Sequence, residues 1–192
     1  FLGLMEHLAG HGLSCPQPLR DRSGAQSFLF KGRSGAIFTF LNGVSLRKPE
    51  TVHCAAAGRA LAQLHEAGRD FALTRPNALG PAGWRELAEA TRARADAVER
   101  NLGALISDAL ADLERDWPAG LPSGVIHADL FPDNVLFMQE KVSGLIDFYF
   151  ACNDTYAYDL AVTLNSWCFE SDGAYNITKG KALIAAYQSV RA

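Results

Sequence analysis

Residues 125–134, read together with 145–148, constrain the fold and chemistry of this chain more than any other part of it. They contain a carboxylate at Asp129, a carboxamide at Asn134 and a second carboxylate at Asp147, all next to apolar stretches. A carboxylate can accept a hydroxyl proton, and carboxamide and carboxylate oxygens are ligands that Mg²⁺ prefers. The pattern therefore predicts a site for phosphoryl transfer, a reaction that depends mainly on positioning and on stabilising charge.

The local sequence predicts how these side chains come together. Residues 125–126 are apolar and β-branched, which indicates a buried strand leading into a loop. Residues 134–138 and 142–147 are predicted to be two strands of a hairpin with a polar turn between them. Paired strands lie about 4.8 Å apart, so Asn134 and Asp147 at the open end of that hairpin can share one cation.

A purely structural interpretation of the same residues stays open. Asp and Asn are common in turns, so Asp129 and Asn134 could cap turns while Asp147 ends a strand. We favour the catalytic interpretation because the structural one leaves unexplained why three such residues stand at ligand spacing beside apolar strands.

The composition describes a folded chain. Its 192 residues are 48% hydrophobic and 20% charged with a net charge of −3, which excludes an electrostatic nucleic-acid partner. No apolar stretch approaches the roughly 20 residues needed to cross a bilayer, and no signal peptide is evident. Four scattered cysteines favour free thiols and a cytoplasmic location. Because the chain opens on Phe1 and closes inside a predicted helix, we expect it to be part of a longer protein.

Hydrophobic periodicity and breaker residues predict the remaining elements. We expect a loop between Phe148 and Tyr158. The other predicted elements are helices over 1–9 and 51–67, strands over 27–31 and 36–41, a long amphipathic stretch over 84–117 that Gly103 divides, and helices that begin at Asp159 and near Thr178.

Three histidines allow two interpretations each. His7 and His11 stand four residues apart, a spacing that can bind zinc. With no third ligand nearby in the sequence, we prefer to see them as basic residues that suit a helix C-terminus. His65, near the end of its predicted helix, is either catalytic or a buried polar anchor that ties the helix to a neighbouring loop, and we prefer the anchor.

Two further segments carry a resemblance to a known family. One is 58–65, which ends in Leu-His, and the other is 158–161, which reads Tyr-Asp-Leu-Ala. Together with the segments described above, they resemble the aminoglycoside phosphotransferase and choline kinase superfamily. The resemblance covers nearly the whole chain. It implies an α+β, protein-kinase-like fold, in which 1–43 would be a remnant of the N-terminal lobe with the hinge strand. Residues 44–192 would form a mostly helical C-terminal lobe with the catalytic loop, the metal site and a short catalytic β-hairpin.

The resemblance also implies roles for individual residues. Asp129 would be the base that orients the acceptor hydroxyl, and Asn134 and Asp147 would hold Mg²⁺ against ATP. His127 would brace the catalytic loop through hydrogen bonds. Asp159 would support the same loop from below and could also cap its own helix.

Three residues at the hinge would bind the nucleotide. The resemblance implies that backbone groups of Phe40, Leu41 and Asn42 contact the adenine of ATP, while the apolar side chains of this strand could equally be core. His65 would belong to the structural support. The Gly-rich phosphate loop and the strand Lys of the superfamily have no match in this chain.

The acceptor implied by the resemblance is a small molecule. Segments 124–137, 144–152 and 158–169 look most like the homoserine kinases of this superfamily, which act in threonine biosynthesis, so L-homoserine is the expected substrate. Kinases for choline, an aminoglycoside or a sugar, and a non-catalytic kinase-like module, remain alternatives. Candidate acceptor contacts, for which core packing or loop capping is an equal alternative, are Asp154, Asn165, Tyr149 and Trp167. The sequence makes no prediction of oligomeric state.

Overall fold

The computed structural model describes Phe1–Arg191, and Ala192, the last residue of the predicted C-terminal lobe, lies outside the described residues. The chain forms two compact units. One comprises Phe1–Arg75 together with the chain from Pro122 onward, and the other comprises Pro76–Leu121. No helix within the described residues is both long and apolar enough to span a bilayer.

The regular elements are helices and short strands, which follow one another in groups. In chain order they are α1 (Leu2–Gly10), β1 (Phe28–Phe30), β2 (Arg33–Gly35), α2 (Thr51–Ala67), α3 (Pro81–Val98), α4 (Leu102–Asp116), β3 (Ser123–Ile126), β4 (Val135–Met138), β5 (Lys141–Leu145), β6 (Cys152–Thr155), α5 (Tyr156–Trp167) and α6 (Ile177–Gln188). The predicted helices over 1–9 and 51–67 and the helix near Thr178 are confirmed to within one residue.

Helix α2 forms the centre of the first unit. Its Ala-rich sequence suits a helix, and at its start Glu50 and His53 form a capping box. The apolar face of α2 is buried, including Leu61 and Leu64 with no exposed surface. Gly58 lets α6 approach closely, because a Cβ at this position would overlap the backbone carbonyl of Leu183. Burial of this face against α6 therefore anchors the unit.

The first hairpin turns earlier than the sequence suggests. Strands β1 and β2 pair antiparallel through a turn at Lys31 and Gly32, both of which have positive φ angles, as a tight type I′ turn requires. The predicted strand over 36–41 is therefore wrong. The pairing resumes at Arg33, so this apolar run passes beyond the two-stranded sheet, and Phe38 forms an isolated bridge with Pro18.

The second hairpin, β4 with β5, confirms the prediction around the candidate site. Its turn consists of Gln139 and Glu140, and Gln139 has a φ of 57°. The strands are slightly shorter than predicted. Asn134 ends a single 3₁₀ turn that begins at Pro132, and Asp147 stands after the end of β5.

Strand β6 was not predicted. It pairs antiparallel with β3, so part of the expected loop between Phe148 and Tyr158 is regular structure. Its sequence, Cys-Asn-Asp-Thr, has little β propensity, and the pairing with β3 overrides that preference. Helix α5 also begins earlier than the predicted Asp159. Thr155 caps it, with Oγ1 accepting a hydrogen bond from the backbone N–H of Tyr158.

The second unit is a pair of helices, α3 and α4. The predicted division of the stretch 84–117 is confirmed, but the break lies before Gly103, between Val98 and Leu102. Asn101 adopts the left-handed conformation there with a φ of 66°, which asparagine tolerates better than most residues. An ion pair between Arg85 and Glu114, 2.6 Å apart, links the two helices.

Candidate active site

The loop that follows β3 holds most of the predicted site. We call residues 127–134 the catalytic loop. His127 is fully buried at its start, and Ala128 has a φ of 64°, which is uncommon for a residue with a Cβ. This left-handed residue turns the chain so that Asp129 follows half-buried, between the buried His127 and the exposed Asp133.

Asn134 closes the catalytic loop onto Asp129. Its Nδ2 donates to the backbone carbonyl of Asp129 at 2.8 Å and to Oδ2 of the same residue at 3.0 Å. Both amide hydrogens are used in this way, so the carboxamide oxygen of Asn134 is the atom that could bind a cation as a ligand. The base candidate and one metal-ligand candidate are therefore directly bonded to each other.

Asp147 reaches the same region from the other strand of the hairpin. The backbone N–H of Ile146 donates to the carbonyl of Asn134 at 3.0 Å, which ties the end of β5 to the end of the catalytic loop. Asp147 itself has a φ of 62°, and its Oδ1 accepts from the backbone N–H of Tyr149 at 3.4 Å. The structure thus brings Asp129, Asn134 and Asp147 to one end of the β4–β5 hairpin.

The site raises the basicity of Asp129. Burial raises the pKa of Asp129 above its ordinary value of 3.8, and the charges of Asp147 and Asp133 raise it further. The opposing effects of His127 and of the hydrogen bond from Asn134 do not cancel the rise. A carboxylate with a raised pKa is a better proton acceptor near neutral pH.

The side chain of His127 forms a hydrogen bond to the backbone next to Asp147. Its Nε2 lies 3.0 Å from the carbonyl of Ile146, the residue before Asp147, so Nε2 carries the hydrogen that this bond needs. Burial lowers the pKa of His127 below 6.5 despite the nearby carboxylates, which keeps the ring neutral at pH 7. Its Nδ1 is buried and has no hydrogen-bond partner among the residues that the structure describes. His127 therefore links the catalytic loop to the segment that carries Asp147.

Asp159 supports the catalytic loop from α5. It is fully buried, and its Oδ2 and Oδ1 accept from the backbone N–H groups of His127 and Ala128, each at 2.8 Å. Burial alone raises the pKa of Asp159, but the hydrogen bond and charge of His65 outweigh it, so the pKa lies below 3.8. Its carboxylate holds the loop instead of its own helix, so the expected helix cap is wrong.

His65 connects Asp159 to α6. The ring is fully buried, with Nε2 2.9 Å from Asp159 Oδ2 and Nδ1 2.7 Å from the hydroxyl of Tyr187. It lies away from solvent and contacts no exposed reacting position, which agrees with the anchor interpretation. Tyr187 was not singled out in the sequence, because an aromatic residue near the end of a helix carries no signal of a long-range partner.

The predicted hinge residues lie in an extended segment instead of a strand. Phe40 is 90% exposed, and neither Phe40 nor Leu41 has a backbone hydrogen-bond partner among the described residues. The carbonyl of Asn42 accepts from Ser143 Oγ at 2.7 Å, and Val44 forms a bridge with Phe137 of β4. The segment is thus fastened to the same hairpin, and its free backbone groups remain available to a ligand.

Of the four candidate acceptor contacts, one lies in the core, Trp167, and the other three are at least partly exposed. Trp167 is buried and its Nε1 donates to the carbonyl of Leu130 at 2.7 Å, so it is part of the core. Tyr149 is 60% exposed beside Asp147, and its carbonyl accepts from Arg75 at 2.5 Å. Asn165 is exposed on α5, and Oδ1 of Asp154 accepts from the backbone N–H of Thr155.

Comparison with known proteins places these features in a family. The model of the phosphotransferase enzyme family matches residues 1–192, the whole chain. Homoserine kinases from Mesorhizobium japonicum and Xanthobacter autotrophicus are 61% and 60% identical to the chain over 191 residues, and each match covers 100% of this chain. The chain spans 60% of the length of each of these relatives.

Solved structures show the fold. An aminoglycoside-3'-phosphotransferase of type VIII superposes with a TM-score of 0.73 at 21% identity, covering 98% of this chain and 71% of that one. The predicted α+β fold of the aminoglycoside phosphotransferase type is thereby confirmed. The chain belongs to the phosphotransferase enzyme family.

Proposed function

We propose that this protein is a homoserine kinase, which transfers the γ-phosphoryl group of ATP to the side-chain hydroxyl of L-homoserine to give O-phospho-L-homoserine. One observation carries the proposal: in this chain, which is 61% identical to a homoserine kinase, Asp129 is half-buried and hydrogen-bonded to Asn134. In this proposal Asp129 accepts a hydrogen bond from the acceptor hydroxyl, directs the oxygen toward the phosphoryl group and takes up its proton.

The oxygen donors at the end of the hairpin suit a magnesium ion. Asn134 offers a carboxamide oxygen and Asp147 a carboxylate, both hard ligands of the kind that Mg²⁺ takes beside water and phosphate oxygens. When bound, the ion would neutralise phosphate charge as the γ-phosphoryl group moves. The bond between Asn134 and Asp129 would keep the proton acceptor and the metal ligand in a constant relation.

The buried network has a supporting role in this proposal. Asp159 holds the backbone N–H groups of the two residues before Asp129, His127 holds the carbonyl of the residue before Asp147, and His65 holds Asp159. Catalysis of phosphoryl transfer depends on positioning, and a reacting group displaced by about 1 Å can lose about 10²-fold in rate. These residues would therefore act on the rate through geometry without contacting the substrate.

We propose that the nucleotide binds along the extended segment that includes Phe40, Leu41 and Asn42. The unpaired backbone groups of the first two support this, since adenine is recognised by hydrogen bonds of that kind. Residues 1–43 would then belong to the N-terminal lobe with the hinge, and 44–192 to the C-terminal lobe. The proposal also includes a small-molecule substrate and a cytoplasmic location. The location is supported by the four cysteines, which are buried as free thiols.

An ATP-consumption assay on the full-length native protein tests the proposal. L-homoserine, L-serine, choline and an aminoglycoside would be offered separately with ATP and Mg²⁺. We expect turnover with homoserine to exceed that with each other acceptor at least 10²-fold, because a site built to pair polar groups strongly rejects analogues that lack them. Turnover with choline and none with homoserine would refute the assignment.

A variant pair connects the activity to the site. Asp129→Ala should lower kcat about 10²–10⁴-fold, the range for loss of a general base, with ATP binding retained. Glu140→Ala removes an exposed carboxylate in the turn of the same hairpin and should leave kcat within about twofold. An unchanged rate in Asp129→Ala would remove this carboxylate from the mechanism.

A further inference from the structure

Outside the candidate active site, three side chains with metal-binding atoms converge on the first unit. His7 and His11 lie at the C-terminal end of α1, and Asp70 lies just after α2. One ligand atom from each lies within 4.8 Å of the other two. Asp70 is the third ligand that the sequence could not indicate, since it is 59 positions from His11 and only the packing of α1 beside the end of α2 brings it near.

One hydrogen bond of the His11 ring leaves the lone pair of its Nε2 directed toward the cluster. Nδ1 of His11 lies 2.9 Å from the backbone carbonyl of His7 and must donate to it, because a carbonyl oxygen only accepts. The neutral ring then carries its lone pair on Nε2, the atom that lies 3.7 Å from Asp70 Oδ1. Metal-binding histidines in proteins are commonly oriented in this way by a carbonyl at the other ring nitrogen.

The distances between the donor atoms suit a tetrahedral ion. Bonds of about 2.0–2.1 Å to a tetrahedral ion place neighbouring donors about 3.3 Å apart. Nε2 of His7 lies 3.1 Å from Asp70 Oδ1 and 3.0 Å from the carbonyl oxygen of Ala67. Nε2 of His11 lies 3.7 Å from the same carboxylate oxygen, so both edges to Asp70 lie close to that length, and the edge between the two imidazoles is at most 4.8 Å.

The cluster is also open to solvent. The side chains of His11 and Asp70 are 45% and 72% exposed, whereas His7 is 20% exposed. An ion can therefore enter without opening the fold, and a water molecule or the Ala67 carbonyl can complete its coordination. At present Nε2 of His7 donates to the Ala67 carbonyl or to Asp70, so an ion must displace this hydrogen, which moves to Nδ1 or to solvent.

We propose that His7, His11 and Asp70 form a site for a divalent transition-metal ion of the Zn²⁺ type. Two imidazoles and one carboxylate favour Zn²⁺, Co²⁺ or Ni²⁺ over Mg²⁺, which prefers oxygen ligands only. The ion would link the end of α1 to the segment after α2 and so stabilise the first unit. This site is separate from Asn134 and Asp147 and stands whether or not the proposed kinase activity is correct.

The competing explanation is a simple ion pair. His7 and Asp70 already lie 3.1 Å apart and need no metal to do so, and a half-exposed pair of this kind contributes little stability. The two explanations differ at His11, which adds only a longer contact of 3.7 Å to the ion pair, whereas the metal site requires it as a second nitrogen ligand. Substitution of His11 is therefore the discriminating change.

Titration of the full-length native protein with Co²⁺, in millimolar Mg²⁺ to saturate oxygen sites, tests the proposal. We expect one equivalent to bind with the intense visible absorption of tetrahedral Co²⁺, and the same site to accept Zn²⁺ in competition. His11→Ala and Asp70→Asn should each weaken binding at least 10-fold, in line with the loss of one ligand. His53→Ala, a matched control that removes a histidine from the start of α2, should bind as the wild type does.

Thermal unfolding supplies an independent measurement. Zn²⁺ at about 100 times its Kd should raise the Tm of the wild type by about 5–10 °C, and this rise should be lost in His11→Ala. Both substituted ligands are exposed, so the variants should fold. The absence of saturable Co²⁺ binding, or binding that His11→Ala leaves unchanged, would overturn the proposal.

Discussion

Asn134 holds Asp129 at two points, through the backbone carbonyl at 2.8 Å and through Oδ2 at 3.0 Å. The same amide nitrogen donates both bonds, so the side chain of Asp129 cannot rotate without breaking one of them. Hydrogen bonds to a carboxylate are stronger than those between neutral groups. The remaining oxygen atoms, Oδ1 of Asp129 and the carboxamide oxygen of Asn134, are the ones that the proposed substrate and cation would use.

Asn134→Ala should therefore damage two functions at once. It removes the proposed oxygen ligand for Mg²⁺ and frees the Asp129 carboxylate. We expect kcat to fall about 10²-fold or more and the Mg²⁺ concentration for half-maximal rate to rise, because positioning and metal binding are both weakened. Steady-state kinetics across a Mg²⁺ series measures both effects. A loss that excess Mg²⁺ restores completely would show that Asn134 does not orient Asp129.

The raised pKa of Asp129 predicts a pH dependence. Asp129 must be deprotonated to accept a proton, so kcat/KM should fall as the pH drops through its pKa, with a midpoint above 3.8. Asp133→Asn removes a negative charge that raises this pKa and should move the midpoint to lower pH. The control Glu140→Gln should not move it. A midpoint below 3.8 would contradict the burial of Asp129 as the dominant influence.

The parts of this site that the sequence predicted depend on local spacing. Asp129 and Asn134 lie five positions apart on one loop, and Asp147 follows on the other strand of a short hairpin, so the order of residues alone indicates their meeting. Helix α2 was also predicted with its observed bounds, because its apolar periodicity and Ala-rich composition agree. Local signals that agree with one another give reliable predictions.

The parts that could not be predicted depend on distant partners. Strand β6 has a polar sequence and becomes a strand only because β3 lies beside it. Tyr187 reaches His65 across 122 positions, and Asp70 reaches His7 across 63. No periodicity reports such pairs, since each residue would look the same on a solvated surface. The supporting network and the candidate metal cluster therefore emerge only from tertiary structure.

The buried network predicts a graded loss of stability. Asp159→Ala leaves His65 and two backbone N–H groups without their acceptor, and we expect a loss of about 3–5 kcal/mol in the free energy of unfolding. Tyr187→Phe removes one hydroxyl from the end of the network and should cost about 0.5–1.5 kcal/mol. Urea unfolding at pH 7 measures both. Equal losses in the two variants would contradict the central position of Asp159.

The pKa of Asp159 adds a pH dependence to the same network. Its pKa in the folded protein lies below the ordinary 3.8, so its charged form stabilises the fold at every pH above 3.8. That stabilisation decreases as the pH falls below 3.8 and is lost once the pH passes the folded-state value. The difference in unfolding free energy between wild type and Asp159→Asn should therefore be largest near neutrality and shrink in acid. A difference that grew on acidification would show that the pKa is raised instead.

Because α2 and α6 approach closely at Gly58, a single added methyl group there should destabilise the protein. A Cβ at Gly58 would overlap the backbone carbonyl of Leu183, which cannot move away as a flexible side chain can, so Gly58→Ala should destabilise the protein by about 1–3 kcal/mol. Gly10→Ala is the matched control. Gly10 ends α1 with nothing within 4 Å of its Cβ position, so alanine there should be neutral or stabilising by up to about 1 kcal/mol. Because α6 carries Tyr187, the Gly58 variant should also lower kcat modestly by displacing His65. A Gly58→Ala protein as stable as wild type would mean that the helices can separate without cost, and that α6 does not hold the network in place.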